Sequence, residues 1–66
     1  MNNNNIVKII GSKVRISIKG NAQANFYYEK GLVTNIVVTN TDIFFIELDN
    51  NNFISSRFIM QIEIID

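Results

Sequence analysis

Residues 13–19, KVRISIK, alternate apolar and polar side chains without interruption. Val14, Ile16 and Ile18 share one parity, and the other parity is polar with three cations. A period of two indicates a β-strand with one buried and one solvated face. The segment therefore predicts a strand whose solvated face is positively charged, formed by Lys13, Arg15, Ser17 and Lys19.

Four further segments have strand character and are separated by residues typical of turns. The longest of them contains Gly31 near its centre, and an isolated glycine within a strand indicates a bulge, a sharp bend or a close approach of the backbone. Clusters of Gly, Asn, Asp and Thr between the segments predict turns. The residues 55–58 lack alternation and predict a tight turn or a single 3₁₀ turn. The predicted strands cover residues 13–19, 26–38, 43–49, 53–54 and 60–65.

The N-terminal segment IVKII, residues 6–10, has apolar residues at helical spacing. Asn5 is a good N-cap, and Gly11 is a good residue to follow a last helical turn. Most of the segment is β-branched, so a short strand is the alternative to a short helical turn. We expect residues 1–5 to be a flexible, Asn-rich N-terminus of a single domain that spans residues 1–66.

A chain of 66 residues buries a small core, and small domains usually need an additional stabilising device. The sequence contains no Cys and no His, which excludes disulfides and the usual zinc ligands. Self-association is the remaining way in which so small a domain could be stabilised. With no apolar run near 20 residues and no visible signal peptide, we predict a cytoplasmic protein without membrane contact.

Catalysis is poorly supported, because the commonest general base and the thiol nucleophile are absent. The three glycines are isolated, so no phosphate-binding loop is present. The turn at residues 49–52 resembles part of a calcium loop but lacks the bidentate Glu downstream. We expect no enzyme activity, no cofactor and no metal site; the carboxylates Glu29, Asp42, Glu47, Asp49 and Glu63 show no paired spacing.

The order of elements resembles the small β-barrel shared by Sm-like and SH3-like families. IVKIIGSKVRISI is similar to the Sm opening, where a short helix ends at a Gly before the first strand. The resemblance implies an all-β, small five-stranded antiparallel barrel. Of the family's RNA-binding positions, Arg57 alone has a counterpart, in the loop between strands four and five. The interval from Gly31 to Asp42 is longer than the family's first RNA motif, and no matching Asn follows.

The charged face of the first strand is the best candidate for a binding site. Its cations are spaced about 6–7 Å or multiples of that distance, close to the spacing of phosphates on an extended single strand. Tyr27, Tyr28 and Phe53 are candidates to stack on bases. The alternative is an ordinary solvated face, paired with glutamates on neighbouring strands. The predicted nucleic-acid-binding residues are Lys13, Arg15, Lys19, Tyr27, Tyr28 and Arg57.

Several segments are apolar on both faces, which is more apolar surface than one small barrel can bury. Such surplus usually marks an interface. We predict a homo-oligomer, formed by strand-edge pairing or by face packing, through Val37, Ile43, Phe45, Phe53 and Ile65. The predicted function is an RNA- or single-strand-binding module. The alternative is a protein-interaction or structural module of the same fold, such as a phage, plasmid or bacterial accessory protein, with no nucleic-acid role.

Overall fold

A computed structural model of the chain describes residues 3–20 and 25–65, with side chains described from residue 6 onward. Five β-strands and two 3₁₀ helices make up this part of the chain. In chain order they are η1 (Asn3–Ile9), β1 (Lys13–Lys19), β2 (Phe26–Val38), β3 (Phe44–Leu48), β4 (Phe53–Ser55), η2 (Ser56–Phe58) and β5 (Ile59–Ile64). The prediction of an all-β chain with five antiparallel strands is confirmed.

The five strands form one sheet in the order β4-β3-β2-β1-β5. β4 and β5 are its two edge strands, and in the part of the chain that the structure describes no ladder joins them. Because the described residues of β4 and β5 are not hydrogen-bonded to each other in this ladder order, the sheet is open, and its closure into a barrel stays a prediction. η2 makes the connection between the two edges, where the sequence predicted either a tight turn or a single 3₁₀ turn.

β2 connects the two halves of the sheet because it changes partner near its centre. Its first part, Phe26–Leu32, pairs with β1, and its second part pairs with β3 from Val33 onward. The register shifts between Val33 and Asn35. The predicted interruption at Gly31 lies immediately before this change of partner, so one long strand serves both halves.

The core is formed by alternate residues from both halves of the sheet. Val14 and Ile16 of β1 are 0% exposed, as is Ile46 of β3. Burying an aliphatic side chain of this size stabilises the folded state by about 1.5–3 kcal/mol. Ile6 and Ile9 of η1 pack against this cluster, which comprises Val14, Ile16, Ile18, Val33, Ile36, Ile46, Leu48 and Ile54.

The N-terminal segment is a 3₁₀ helix rather than a strand, which agrees with the helical interpretation of residues 6–10. The chain leaves the helix at Gly11, whose φ of +93° favours glycine. The Gly11 N–H donates to the Val33 carbonyl over 2.8 Å, and Val33 N–H donates to Ser12 O over 2.9 Å. The predicted flexible N-terminus overlaps η1, which begins at Asn3, and residues 1–2 lie outside the described residues.

The predicted turns close with local hydrogen bonds. Asn51 has a φ of 69° and lies in the turn after β3, where Leu48 N–H donates to Asn52 O over 2.9 Å. This left-handed conformation suits Asn, as the composition of the turn predicted. The turn predicted at residues 19–25 is closed by Gly20 N–H donating to Asn25 O, and residues 21–24 within it are outside the described part.

Candidate nucleic-acid interface

The charged side of β1 continues across both neighbouring strands as one surface. Directly paired residues of antiparallel strands share a face, and Arg15 pairs with Lys30 on β2 and with Glu63 on β5. The same parity along the three strands defines what we call the basic face. It comprises Lys13, Arg15, Ser17, Lys19, Phe26, Tyr28, Lys30, Leu32, Gln61 and Glu63.

The basic face concentrates positive charge on a chain whose formal net charge is zero. Among the described residues it holds four cations, and Glu63 is its single carboxylate. The face therefore carries a formal charge of +3, which attracts anions at low ionic strength and does so less as salt is added. The cations are Lys13, Arg15, Lys19 and Lys30.

Arg15 lies at the centre of the face and contacts two neighbours. Its Nη2 donates to Glu63 Oε1, and its guanidinium carbon lies 5.3 Å from the centroid of the Tyr28 ring. The Tyr28 ring in turn meets Phe26 edge to face, with centroids 5.7 Å apart and planes at 88°. Because the Arg15 and Glu63 side chains are 43% and 49% exposed, this ion pair is worth little, about 0–1 kcal/mol.

The structure brings together four of the six residues predicted to bind nucleic acid: Lys13, Arg15, Lys19 and Tyr28. Tyr27 lies on the opposite face, because it pairs with Ile18 of the core parity. Arg57 is an exposed residue of η2, outside the basic face.

The predicted binding residues omitted one aromatic side chain and one cation of the basic face, Phe26 and Lys30. Both have the parity of Tyr28 on β2, so parity alone was a signal for them. To place them beside the β1 cations one needs the register of the two strands, which pairs Lys19 with Phe26 and Arg15 with Lys30.

A groove of about 310 Å³ lies on the other side of β1 and β2, between them and β4–η2. The core residues Ile18 and Ile54 line it together with three aromatic side chains that are each about half exposed. The Asn52 amide donates to Glu29 Oε1 over 3.1 Å at the groove. The aromatic side chains are Tyr27, Phe53 and Phe58.

The residues predicted to form an interface lie in three places. Val37 and Phe45 are a cross-strand pair on β2 and β3, and Ile43, just before β3, shares their parity. Phe53 lines the groove. Ile65 follows β5 at the opposite edge of the sheet, where its N–H donates to Lys13 O. Val37, Phe53 and Ile65 are exposed, whereas Ile43 and Phe45 are half-buried.

Further apolar side chains are exposed on the edge strand β5. Met60 is 60% exposed, and Ile64 is 55% exposed although it pairs with the fully buried Val14. The core-facing side of the sheet is thus uncovered at this edge.

The described residues contain no group of three or more His, Cys, Asp or Glu side chains placed to hold a metal ion. Within residues 3–20 and 25–65, neither 3₁₀ helix has the length and apolar character needed to cross a membrane. Comparison with protein-family models, with curated proteins and with solved structures finds no match to this chain.

Proposed function

We propose that this chain is a small, self-associating binding module that contacts RNA or another single-stranded nucleic acid through its basic face. The observation that carries the proposal is the combination of four cations with the Phe26–Tyr28 aromatic pair on one solvated surface. Cations alone attract any polyanion, whereas cations beside exposed rings match a ligand with both phosphates and bases.

The geometry of a β-strand suits an extended ligand. Lys13 and Arg15 are two residues apart on one strand face, which places their attachment points about 6–7 Å from each other. Lys30 lies directly across from Arg15 and widens the positive row. Single strands expose their bases for stacking on aromatic side chains, whereas duplex bases are stacked on one another. A single-stranded ligand therefore uses the whole basic face.

An ordinary solvated strand face accounts for the lysines but not for the aromatic rings. Phe26 is 52% exposed and Tyr28 is 53% exposed, so large apolar surfaces remain in water beside the cations. Exposed aromatic side chains of this kind are more typical of a binding surface than of a wet face. We therefore prefer the binding interpretation to the solvated-face alternative.

The proposal includes a small-barrel architecture of the Sm-like or SH3-like kind, located in the cytoplasm. The element order, with a 3₁₀ helix between the fourth and fifth strands, supports this interpretation. So does the contribution of both sheet halves to one core cluster, because a flat sheet of this size cannot bring Ile18 and Ile54 to one groove. Curling of the sheet at β2 accounts for both observations.

Self-association is proposed because a chain of this size leaves much apolar surface in water. Exposed side chains occur on the outer side of β2–β3, as at Val37, and along the edge strand β5, as at Met60 and Ile64. Edge strands without lysine or proline invite pairing with another strand. A second copy that covers either region would supply the burial that one domain of 66 residues lacks.

The alternative function is a protein-interaction module of the same fold, and the groove on the other face favours it. Aromatic-lined grooves are common docking sites for extended peptides. In this alternative the partner contacts Tyr27, Phe53 and Phe58 rather than the basic face. The two functions share Lys19, which also lines the groove, and otherwise depend on different residues, so they respond differently to substitutions at Lys13, Lys30, Phe53 and Phe58.

Fluorescence anisotropy with a labelled single-stranded RNA, measured over a series of salt concentrations, tests the proposal. We expect salt-dependent binding by the wild type. The triple variant Lys13→Gln, Lys19→Gln and Lys30→Gln should lower the salt slope by about two, since each phosphate contact on a single strand contributes about 0.7. Lys8→Gln, the same change on the exposed surface of η1, is the matched control and should bind as the wild type does. Equal binding by the triple variant would reject the basic face.

A further inference from the structure

The ion pair between Arg15 and Glu63 occupies the centre of the basic face. The two residues are directly opposite each other in the β1–β5 ladder, and Arg15 Nη2 donates to Glu63 Oε1. Among the described residues, Glu63 is the single carboxylate of this face. A site that attracts phosphates therefore has an anion of its own, bound to the same guanidinium that lies beside the Tyr28 ring.

We propose that Glu63 sets the affinity of the basic face by competing with the ligand's phosphate for Arg15; this inference rests on the proposed function. A guanidinium uses the same planar set of N–H donors for carboxylates and for phosphates. A phosphate that takes the Nη2 N–H now bonded to Glu63 Oε1, as a bidentate phosphate centred on Arg15 would, must displace that carboxylate oxygen. In the free protein the carboxylate takes the place of that phosphate.

Displacement is feasible because the pair is solvated. The side chains of Arg15 and Glu63 are 43% and 49% exposed, and pairs of this kind contribute little to the free energy of folding. Glu63 thus positions the Arg15 guanidinium beside the Tyr28 ring through an ion pair weak enough for a ligand to displace. Once displaced, the carboxylate still lies within a Debye length of the bound phosphates and repels them.

This arrangement also changes which ligands bind best. Since Arg15 is always charged, its full attraction would otherwise extend to every polyanion. Glu63 offsets part of that attraction and leaves a larger share of the affinity to stacking on the Phe26–Tyr28 pair. Ligands with bases are therefore favoured over phosphate chains without bases.

The test is a double-mutant cycle with the full chain and a labelled single-stranded RNA. Glu63→Gln should bind about two- to fivefold more tightly at low salt, because the phosphate no longer has to displace a carboxylate from Arg15. Glu47→Gln removes the same charge from β3, outside the basic face, and should leave binding unchanged. Thermal unfolding of each variant checks that the fold persists.

Arg15→Gln provides the second side of the cycle. If Glu63 acts by occupying Arg15, then Glu63→Gln should tighten binding less in the Arg15→Gln background than in the wild-type background, because only the charge repulsion remains. An equal gain in both backgrounds would overturn the competition and leave only general charge repulsion. Salt-dependent binding by the wild type with no gain from Glu63→Gln would overturn this inference while the proposed function stands. No binding by either the wild type or Glu63→Gln would reject both.

Discussion

The Asp49 carboxylate lies directly against the Cα of Gly31, so that a Cβ at residue 31 would come within 2.8 Å of Asp49 Oδ1. The same oxygen accepts a hydrogen bond from Leu32 N–H over 3.2 Å, and Asp49 N–H donates to Leu32 O over 2.9 Å. These contacts tie the turn after β3 to β2 just before β2 exchanges β1 for β3 as its partner. The absence of a side chain at Gly31 makes this close approach feasible.

Gly31→Ala should lower the free energy of unfolding by about 1–2 kcal/mol, because the new methyl group displaces the carboxylate from Leu32 N–H. Urea denaturation measures the loss. Asp49→Ala removes the same hydrogen bond and also makes room for the methyl group. The double variant should therefore lose less than the sum of the two single losses, and strict additivity would show that Asp49 does not restrict the side chain at residue 31.

Ile46→Val and Ile64→Val make the same chemical change at a buried and at an exposed position. Ile46 is 0% exposed, so the lost methylene leaves a cavity, and we expect a loss of about 0.5–1.5 kcal/mol. Ile64 is 55% exposed in the single chain, and its variant should unfold as the wild type does when the protein is dilute. Chemical denaturation compares the two. A larger loss at Ile64 would mean that the core lies elsewhere or that β5 is covered.

Phe26→Ala should weaken binding to single-stranded RNA by about ten- to hundredfold, because stacking on one aromatic side chain is worth about 1–3 kcal/mol. Phe58→Ala removes an equally exposed ring from the groove on the other face and should leave RNA binding unchanged. Anisotropy titrations with RNA and with base-free polyphosphate separate the contributions. Polyphosphate should bind both variants with the same affinity. If Phe58→Ala weakened RNA binding more than Phe26→Ala did, the groove would be the favoured RNA site.

Val37→Lys should shift the protein from oligomer toward monomer, because it places a charge opposite Phe45 in the exposed apolar patch on β2–β3. Light scattering over a series of concentrations measures the mass. Asn40→Lys introduces the same charge in the exposed turn that follows β2 and is the matched control. A wild-type protein that stays monomeric at high concentration would contradict the self-association proposal.

Alternation in the sequence was sufficient to predict much of the sheet. Val14, Ile16 and Ile18 were assigned to one buried face by parity, and the structure buries all three. Gly31 predicted a bulge, a bend or a close approach in β2; the structure shows the close approach, to Asp49, and the strand changes partner after Leu32. These features depend on neighbours within one segment, and local patterns carry that information.

Contacts between segments depend on register, which a single sequence does not specify. Alternation alone places the adjacent Tyr27 and Tyr28 on opposite faces, but only the pairing of Ile18 with Tyr27 shows that Tyr28 is the one on the side of the β1 cations. The same register brings Lys30 beside Arg15. The sequence offered Glu29, Glu47 and Glu63 as partners of the β1 cations, and only the folded sheet shows that Glu63, 48 positions from Arg15, is the one that pairs with it. Self-association, nucleic-acid binding and closure of the sheet stay predictions.

Mapping of the amide resonances by ¹H–¹⁵N NMR during titration with a single-stranded RNA tests the central claim most directly. We predict that the largest shifts occur at Lys13, Arg15, Tyr28 and Lys30, and that they are lost as salt is added. Shifts concentrated instead at Phe53 and Phe58, or no shifts at low salt, would contradict the account.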